Sequence, residues 1–209
     1  MDHVKIINHD WLMAYAKIPS DAMTKVLAAG ITPLYAAYSG REPVSSPSMG
    51  LDQNQFATLL DHYFPGAREK LFEIVAGNQL GSGDVSLRED EFEDLLQLLL
   101  EHRSNINNET EWLARAMATA CLGNNHLWQD LGLPNRQALS EILEKNFTTL
   151  FEKNIGNMKW KKFFYKQLCE RINVHVCKAP TCAVCCDYAK CFGPEDADPA
   201  TPTREFRVS

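Results

Sequence analysis

Apolar residues recur three and four positions apart along most of this chain, with polar residues between them, a pattern that predicts a body of amphipathic helices. Val4, Ile6, Ile7, Trp11, Leu12, Tyr15 and Ile18 outline a first helix over residues 2–17, closed by Pro19 and Ser20. Residues 21–38 continue as helix broken at Pro33, and the Pro- and Ser-rich stretch from Gly40 to Gly50 reads as loop. Helical spacing resumes through Phe56, Leu59, Leu60, Tyr63 and Phe64 until Pro65-Gly66, and Gly77 to Ser86, with glycines at 77, 81 and 83, forms the next loop.

Ser86-Leu87-Arg88-Glu89 has the capping-box pattern of a helix start. The helix it predicts carries Phe92, Leu95, Leu96, Leu99 and Leu100 as its apolar stripe and Glu91, Glu93, Asp94 and Arg103 as its wet side. Thr110 introduces a helix over Glu111 to Leu122 that ends at Gly123. Leu139, Ile142, Leu143, Phe147, Leu150 and Phe151 share one face of a helix over residues 135–152, and Trp160, Phe163, Phe164, Leu168 and Ile172 share one over 157–172. No segment alternates convincingly as a strand, the nearest being Ile172 to Cys177.

The expected fold is therefore all-α: a helical body over residues 1–156, a basic helix with a cysteine-rich metal-binding loop over 157–193, and a disordered tail over 194–209 rich in proline and charge. Composition narrows the class. A chain of 209 residues, 45% hydrophobic and 23% charged, is that of a soluble globular protein. No apolar run approaches the roughly 20 residues of a membrane span. The start Met1-Asp2-His3-Val4-Lys5 lacks a secretory pattern, so a cytoplasmic location with reduced thiols is expected. A net charge of -6 argues against nucleic acid as partner.

Six of the seven cysteines (Cys169, Cys177, Cys182, Cys185, Cys186 and Cys191) lie within the 23 residues from 169 to 191. Cys177, Cys182, Cys185 and Cys191 have the spacing C-x4-C-x2-C-x5-C, which lets thiolates converge from one loop onto a soft metal centre. Zinc usually draws on two separated C-x2-C knuckles, whereas an iron–sulfur core spans varied spacings, so spacing favours iron–sulfur without excluding zinc. A redox dithiol at Cys182 and Cys185 lacks the surrounding βαβ pattern. Phosphate-loop, zincin and hydrolase-elbow motifs are absent.

Between Asn157 and Lys178, six basic residues (Lys159, Lys161, Lys162, Lys166, Arg171 and Lys178) face Glu170 alone, a local balance of +5 that leaves -11 for the rest. Such a segment suits thiolates and an arriving oxyanion, and it also suits the solvated face of a helix. His126, in a polar connection beside Trp128, is either an imidazole ligand or a histidine bonded to backbone at a helix junction. His175, two residues before Cys177, either binds the metal or supports a residue that does, or is a partly exposed histidine, while Cys121 on an apolar helix face reads as a buried small hydrophobe.

Met158-Lys159-Trp160-Lys161-Lys162-Phe163-Phe164-Tyr165, followed by the spaced cysteines and by Phe192-Gly193-Pro194-Glu195, resembles the C-terminal region of the NifQ family, and His126 to Leu133 resembles its middle region. That family handles molybdenum in nitrogenase cofactor biosynthesis. The resemblance implies an iron–sulfur protein, not an enzyme, that binds molybdenum within a three-iron or molybdenum–iron–sulfur cluster. It would receive molybdenum from molybdate or another source and donate it to the nitrogenase cofactor scaffold complex and the nitrogenase iron protein. Carried over, the cluster ligands are Cys177, Cys182, Cys185 and Cys191, and His126 becomes a molybdenum ligand. A helical interaction module with structural zinc and a four-iron electron carrier are the alternatives.

Overall fold

A computed structural model describes residues 7–32, 47–77, 89–172 and 188–195. These residues form helices and no strand: α1 (His9–Met13), α2 (Ala22–Ile31), α3 (Gln53–Tyr63), α4 (Ala67–Gly77), α5 (Glu89–Glu101), α6 (Asn108–Cys121), α7 (Leu127–Asp130), α8 (Arg136–Asn146), α9 (Thr148–Lys153), α10 (Trp160–Arg171) and α11 (Tyr188–Phe192). The all-α expectation holds for the described residues. None of their helices is long and apolar enough to cross a membrane.

Helix α6 is the axis of the body. Its residues from Trp112 to Cys121 are buried except Arg115, so this helix is covered nearly all round, as a central helix must be. Helix α2 lies against one side and α5 against another. The α2 contact is close because both helices present small residues. A Cβ placed on Gly30 would stand 2.6 Å from the Cβ of Ala116 and 2.8 Å from its Cα. A turn over Pro47–Gly50 packs on the same pair, with Met49 fully buried in the left-handed region (φ 54°). Arg115 secures it, donating from Nη1 to the Met49 carbonyl at 3.0 Å while Nη2 pairs with Glu111 at 3.0 Å.

Local polar contacts set the helix starts. Asn8 caps α1 by accepting from the Trp11 N–H at 2.8 Å, so the first helix begins at His9 and is a short piece of the predicted 2–17, whose residues 2–6 lie outside the described residues. Asp52 and Gln55 form a capping box on α3. Asn107, not Thr110, caps α6; Thr110 lies within the helix and is buried. Ser86 falls outside the described residues, so the capping box predicted there does as well.

Two elements differ from the pattern reading. Pro65-Gly66 turns the chain, Gly66 adopting φ 88°, and helix resumes at once as α4. The predicted helix over 135–152 is two helices broken at Phe147 (φ -138°, ψ 49°). Its apolar stripe runs through the break because Phe147 and Leu150 are both buried, which is why periodicity missed it. The break leaves the Asn146 carbonyl to accept from the Ser104 N–H at 2.8 Å, and Ser104 Oγ meets Thr148 Oγ1 at 2.9 Å, so tertiary contact satisfies the groups that helix would have satisfied.

At the α5–α9 junction, His102 Nε2 lies 3.2 Å from Lys153 Nζ and Nδ1 lies 2.8 Å from Thr149 Oγ1. An ammonium only donates, so Nε2 accepts and Nδ1–H donates to Thr149: the ring is neutral. Burial, with Lys153 and Arg171 nearby, holds its pKa below the ordinary 6.5.

Gly30→Ala should destabilise the fold. Overpacking against the α6 backbone costs about 1–3 kcal/mol, of which the higher helix propensity of alanine offsets about 1 kcal/mol. The check is a lower denaturant midpoint with an unchanged slope. A second expectation concerns pH. The unfolded chain takes up a proton at His102 that the folded chain resists, so stability should fall as pH drops below 6.5, and His102→Gln should flatten that part of the stability–pH profile.

Candidate metal centre

Helix α10 is the frame of the candidate site. Trp160, Phe163 and Phe164 are buried on one face, with Trp160 stacked on Phe151 at 5.9 Å between ring centroids. They belong to the core, as their helical spacing indicated. The other side of α10 is held to α5 by polar contacts: the Tyr165 hydroxyl donates to Glu91 and Arg171 pairs with Glu101. Glu91, placed by the sequence pattern on a wet face, is half-buried and structural.

The basic segment is mostly engaged. Lys161 Nζ pairs with Asp130 Oδ2 at 2.5 Å and donates to the Gly123 carbonyl at 2.9 Å. Lys166 pairs with Glu170 and Arg171 with Glu101, and Lys159 Nζ donates to the Ala189 carbonyl at 3.3 Å. Among the described residues, Lys162 is the one cation of this segment with neither an acidic nor a backbone partner. Lys178 lies outside the described residues. Glu170 is already counted in the +5 balance, and Glu101 of α5 and Asp130 of α7 answer two more of the cations, which reduces the segment's pull on an oxyanion.

His126 is placed by the same network. Asp130 accepts from the Asn125 N–H at 3.1 Å and from Asn125 Nδ2 at 2.9 Å, and a Cβ on Gly123 would stand 2.5 Å from Asp130 Oδ2. Only glycine lets the chain pass so near the carboxylate. The His126 N–H donates to Gln129 Oε1 at 3.0 Å at the start of α7, and His126 is half-exposed. The histidine therefore sits at a helix junction, where its main-chain N–H makes this bond, with its connection tied to α10 through Asp130 and Lys161.

Of the four motif cysteines, Cys191 is described. It lies half-buried on α11, a helical turn where the sequence pattern predicts loop, and its carbonyl accepts from the Lys159 N–H at 2.8 Å. Cys177, Cys182 and Cys185 lie outside the described residues, as do Cys186 and His175. Their segment begins where α10 ends and returns at α11, so the fold brings its two ends to one helix. Cys169 is half-buried in the last turns of α10. Cys121 is buried, and burial pushes its thiol pKa up to about 12, which removes it as a thiolate donor. Among the described residues, no three His, Cys, Asp or Glu side chains gather to hold a metal ion. The donor chemistry of the motif is nonetheless that of a soft metal site, four thiols from one short stretch.

Glu195 was missed as a structural residue. Assigned by sequence to a disordered tail, it is 6% exposed and pairs with Arg136. The one available signal was a charged residue directly after the Phe192-Gly193-Pro194 block.

Comparison with known proteins places the chain in a family. The family model described as NifQ matches residues 28–193. The chain is 41% identical over 152 residues to the protein NifQ of Azotobacter vinelandii, covering 70% of this chain and 78% of that one. It is 32% identical over 182 residues to the protein NifQ of Rhodobacter capsulatus, covering 85% and 92%, and 32% identical over 163 residues to a NifQ homolog of Sinorhizobium fredii, covering 77% and 67%. No solved structure matches. A family model that spans α6, α7, α10 and α11, with relatives alike over most of their length, means that this chain belongs to the NifQ family.

Proposed function

We propose that this chain is an iron–sulfur molybdenum carrier that takes up molybdenum and donates it during assembly of the nitrogenase iron–molybdenum cofactor. The observation that carries the reading is Cys191, held half-buried on α11 by the Lys159 N–H just before α10 and closing a stretch that contains three further spaced thiols. Membership of the NifQ family supports it. Cys177, Cys182, Cys185 and Cys191 hold an iron–sulfur core, whose sulfides offer a soft corner to a heterometal. Molybdenum is the cargo, and His126 is its candidate nitrogen ligand.

The chain works by binding and release, with no bond made or broken in an organic substrate. Its body supplies rigidity and the thiol segment supplies the exchangeable site, so docking to the cofactor scaffold complex and the nitrogenase iron protein needs only that segment to be reachable. Among the described residues of the basic segment, Lys162, exposed on α10, is the cation left for an incoming molybdate.

Anaerobic reconstitution with iron, sulfide and molybdate, followed by elemental analysis and EPR, should give a coloured protein with bound iron and molybdenum. A colourless protein holding stoichiometric zinc would sink the proposal in favour of a zinc-stapled helical module. A cluster with reversible one-electron chemistry and no response to molybdate would make it an electron carrier. Cys182→Ala and Cys185→Ala should each abolish cluster binding yet keep most of the far-UV helical signal, because the described core of α2, α5 and α6 is built from residues 26–122. Cys121→Ala should leave the metal content unchanged, as elemental analysis of the same preparations will show.

A further inference from the structure

Helix α11 has five residues, far fewer than the roughly 12–15 that an isolated helix needs to be even marginally stable in water. Contacts with the body must hold it, and they fall on both sides of Cys191. Before it, Lys159 N–H donates to the Cys191 carbonyl at 2.8 Å and Lys159 Nζ to the Ala189 carbonyl at 3.3 Å. After it, Gly193 N–H closes the turn onto the Ala189 carbonyl at 2.9 Å, where a Cβ would come within 2.4 Å of that oxygen. Glu195 then ends in a pair with Arg136 Nη1.

Arg136 is well placed for this. Its Nη2 donates to Asn157 Oδ1 at 2.9 Å, the Asn157 carbonyl at 3.2 Å and the Met158 carbonyl at 2.8 Å, and its guanidinium lies 5.8 Å from the Trp160 ring centroid. One side chain at the start of α8 thus ties the α9–α10 connection to the chain beyond α11. The fixed fork of a guanidinium permits this, whereas an ammonium would serve fewer acceptors in one orientation. The Glu195 side chain is 4% exposed, so the Arg136 guanidinium takes the place of water as its partner.

We infer that Arg136 and Glu195 are positioning residues that hold Cys191 in place before metal binds, an inference that rests on the carrier reading above. A ligand set by the protein spares the metal the work of ordering it, and apparent affinity scales with the fraction of chains in which the ligand is already placed. Loss of the clasp lowers that fraction.

The test uses the full, reduced, metal-free chain under anaerobic conditions, with two readouts. Hydrogen exchange reports the Lys159 amide, and titration with cobalt(II) reports thiolate-to-metal charge-transfer absorption. Glu195→Ala should speed exchange at Lys159 and weaken cobalt binding about tenfold, with unchanged stoichiometry and helical signal. Glu195→Gln, which keeps the volume and an acceptor oxygen and is the safer variant for folding, should be intermediate in both; a residue that only filled space would leave it like the unsubstituted chain. Unchanged exchange and unchanged affinity in Glu195→Ala would overturn the clasp and leave the carrier reading standing. Faster exchange with unchanged cobalt affinity would overturn the positioning role. Absence of cobalt–thiolate absorption in the unsubstituted chain would overturn the carrier reading, and the role of the clasp at a metal with it.

Discussion

The close approach of α2 to α6 is the constraint on which the rest of the body depends. Gly30 leaves no room for a side chain against Ala116, so the two backbones lie nearly in contact over a seam of small residues. A helix packed that closely on one side and covered by α5 on another has almost no solvent face, and α6 is accordingly buried nearly all round. The ends of α6 then have fixed positions. Its C-terminal end delivers Gly123 to the carboxylate of Asp130, and through Lys161 that corner is tied to the first turn of α10.

Helix α10 passes this order on to Cys191. Its aromatic face packs on the core, its polar side is bonded to α5 through Glu91 and Glu101, and Lys159 just before its first turn carries α11. The charges that look surplus in the sequence are mainly fasteners. Partly buried pairs such as Lys161–Asp130 and Arg136–Glu195 fix one geometry, because separating either would leave a charge without water or partner. These fasteners join protein groups on α5, α7, α8 and α10 and in the chain beyond α11, so the geometry around Cys191 is set by the body.

Much of the fold was legible because helical periodicity is a local property. The stripe of α5, the buried aromatics of α10 and the buried Cys121 all follow from spacing and residue type alone. The break at Phe147 was not, since an unbroken apolar stripe says nothing of a carbonyl released to Ser104 some forty residues earlier. Helix α4 was hidden by Pro65-Gly66, a pair that marks a turn and leaves the next element unspecified. Short α11 has too little pattern to be read, and it exists through contacts with Lys159 and with the chain ending at Glu195.

The sequence by itself determined the helical class, the family and the thiol spacing, because each is written in neighbouring residues and their types. Only the tertiary structure decided which charges are free. Whether Lys161, Arg171 or Glu195 meets water or a counter-charge depends on residues 31, 70 and 59 positions away, at distances that no local pattern encodes. The crowding of cysteines near the C-terminal end is therefore a property of the chain, whereas the placement of Cys191 against a rigid body is a property of the fold.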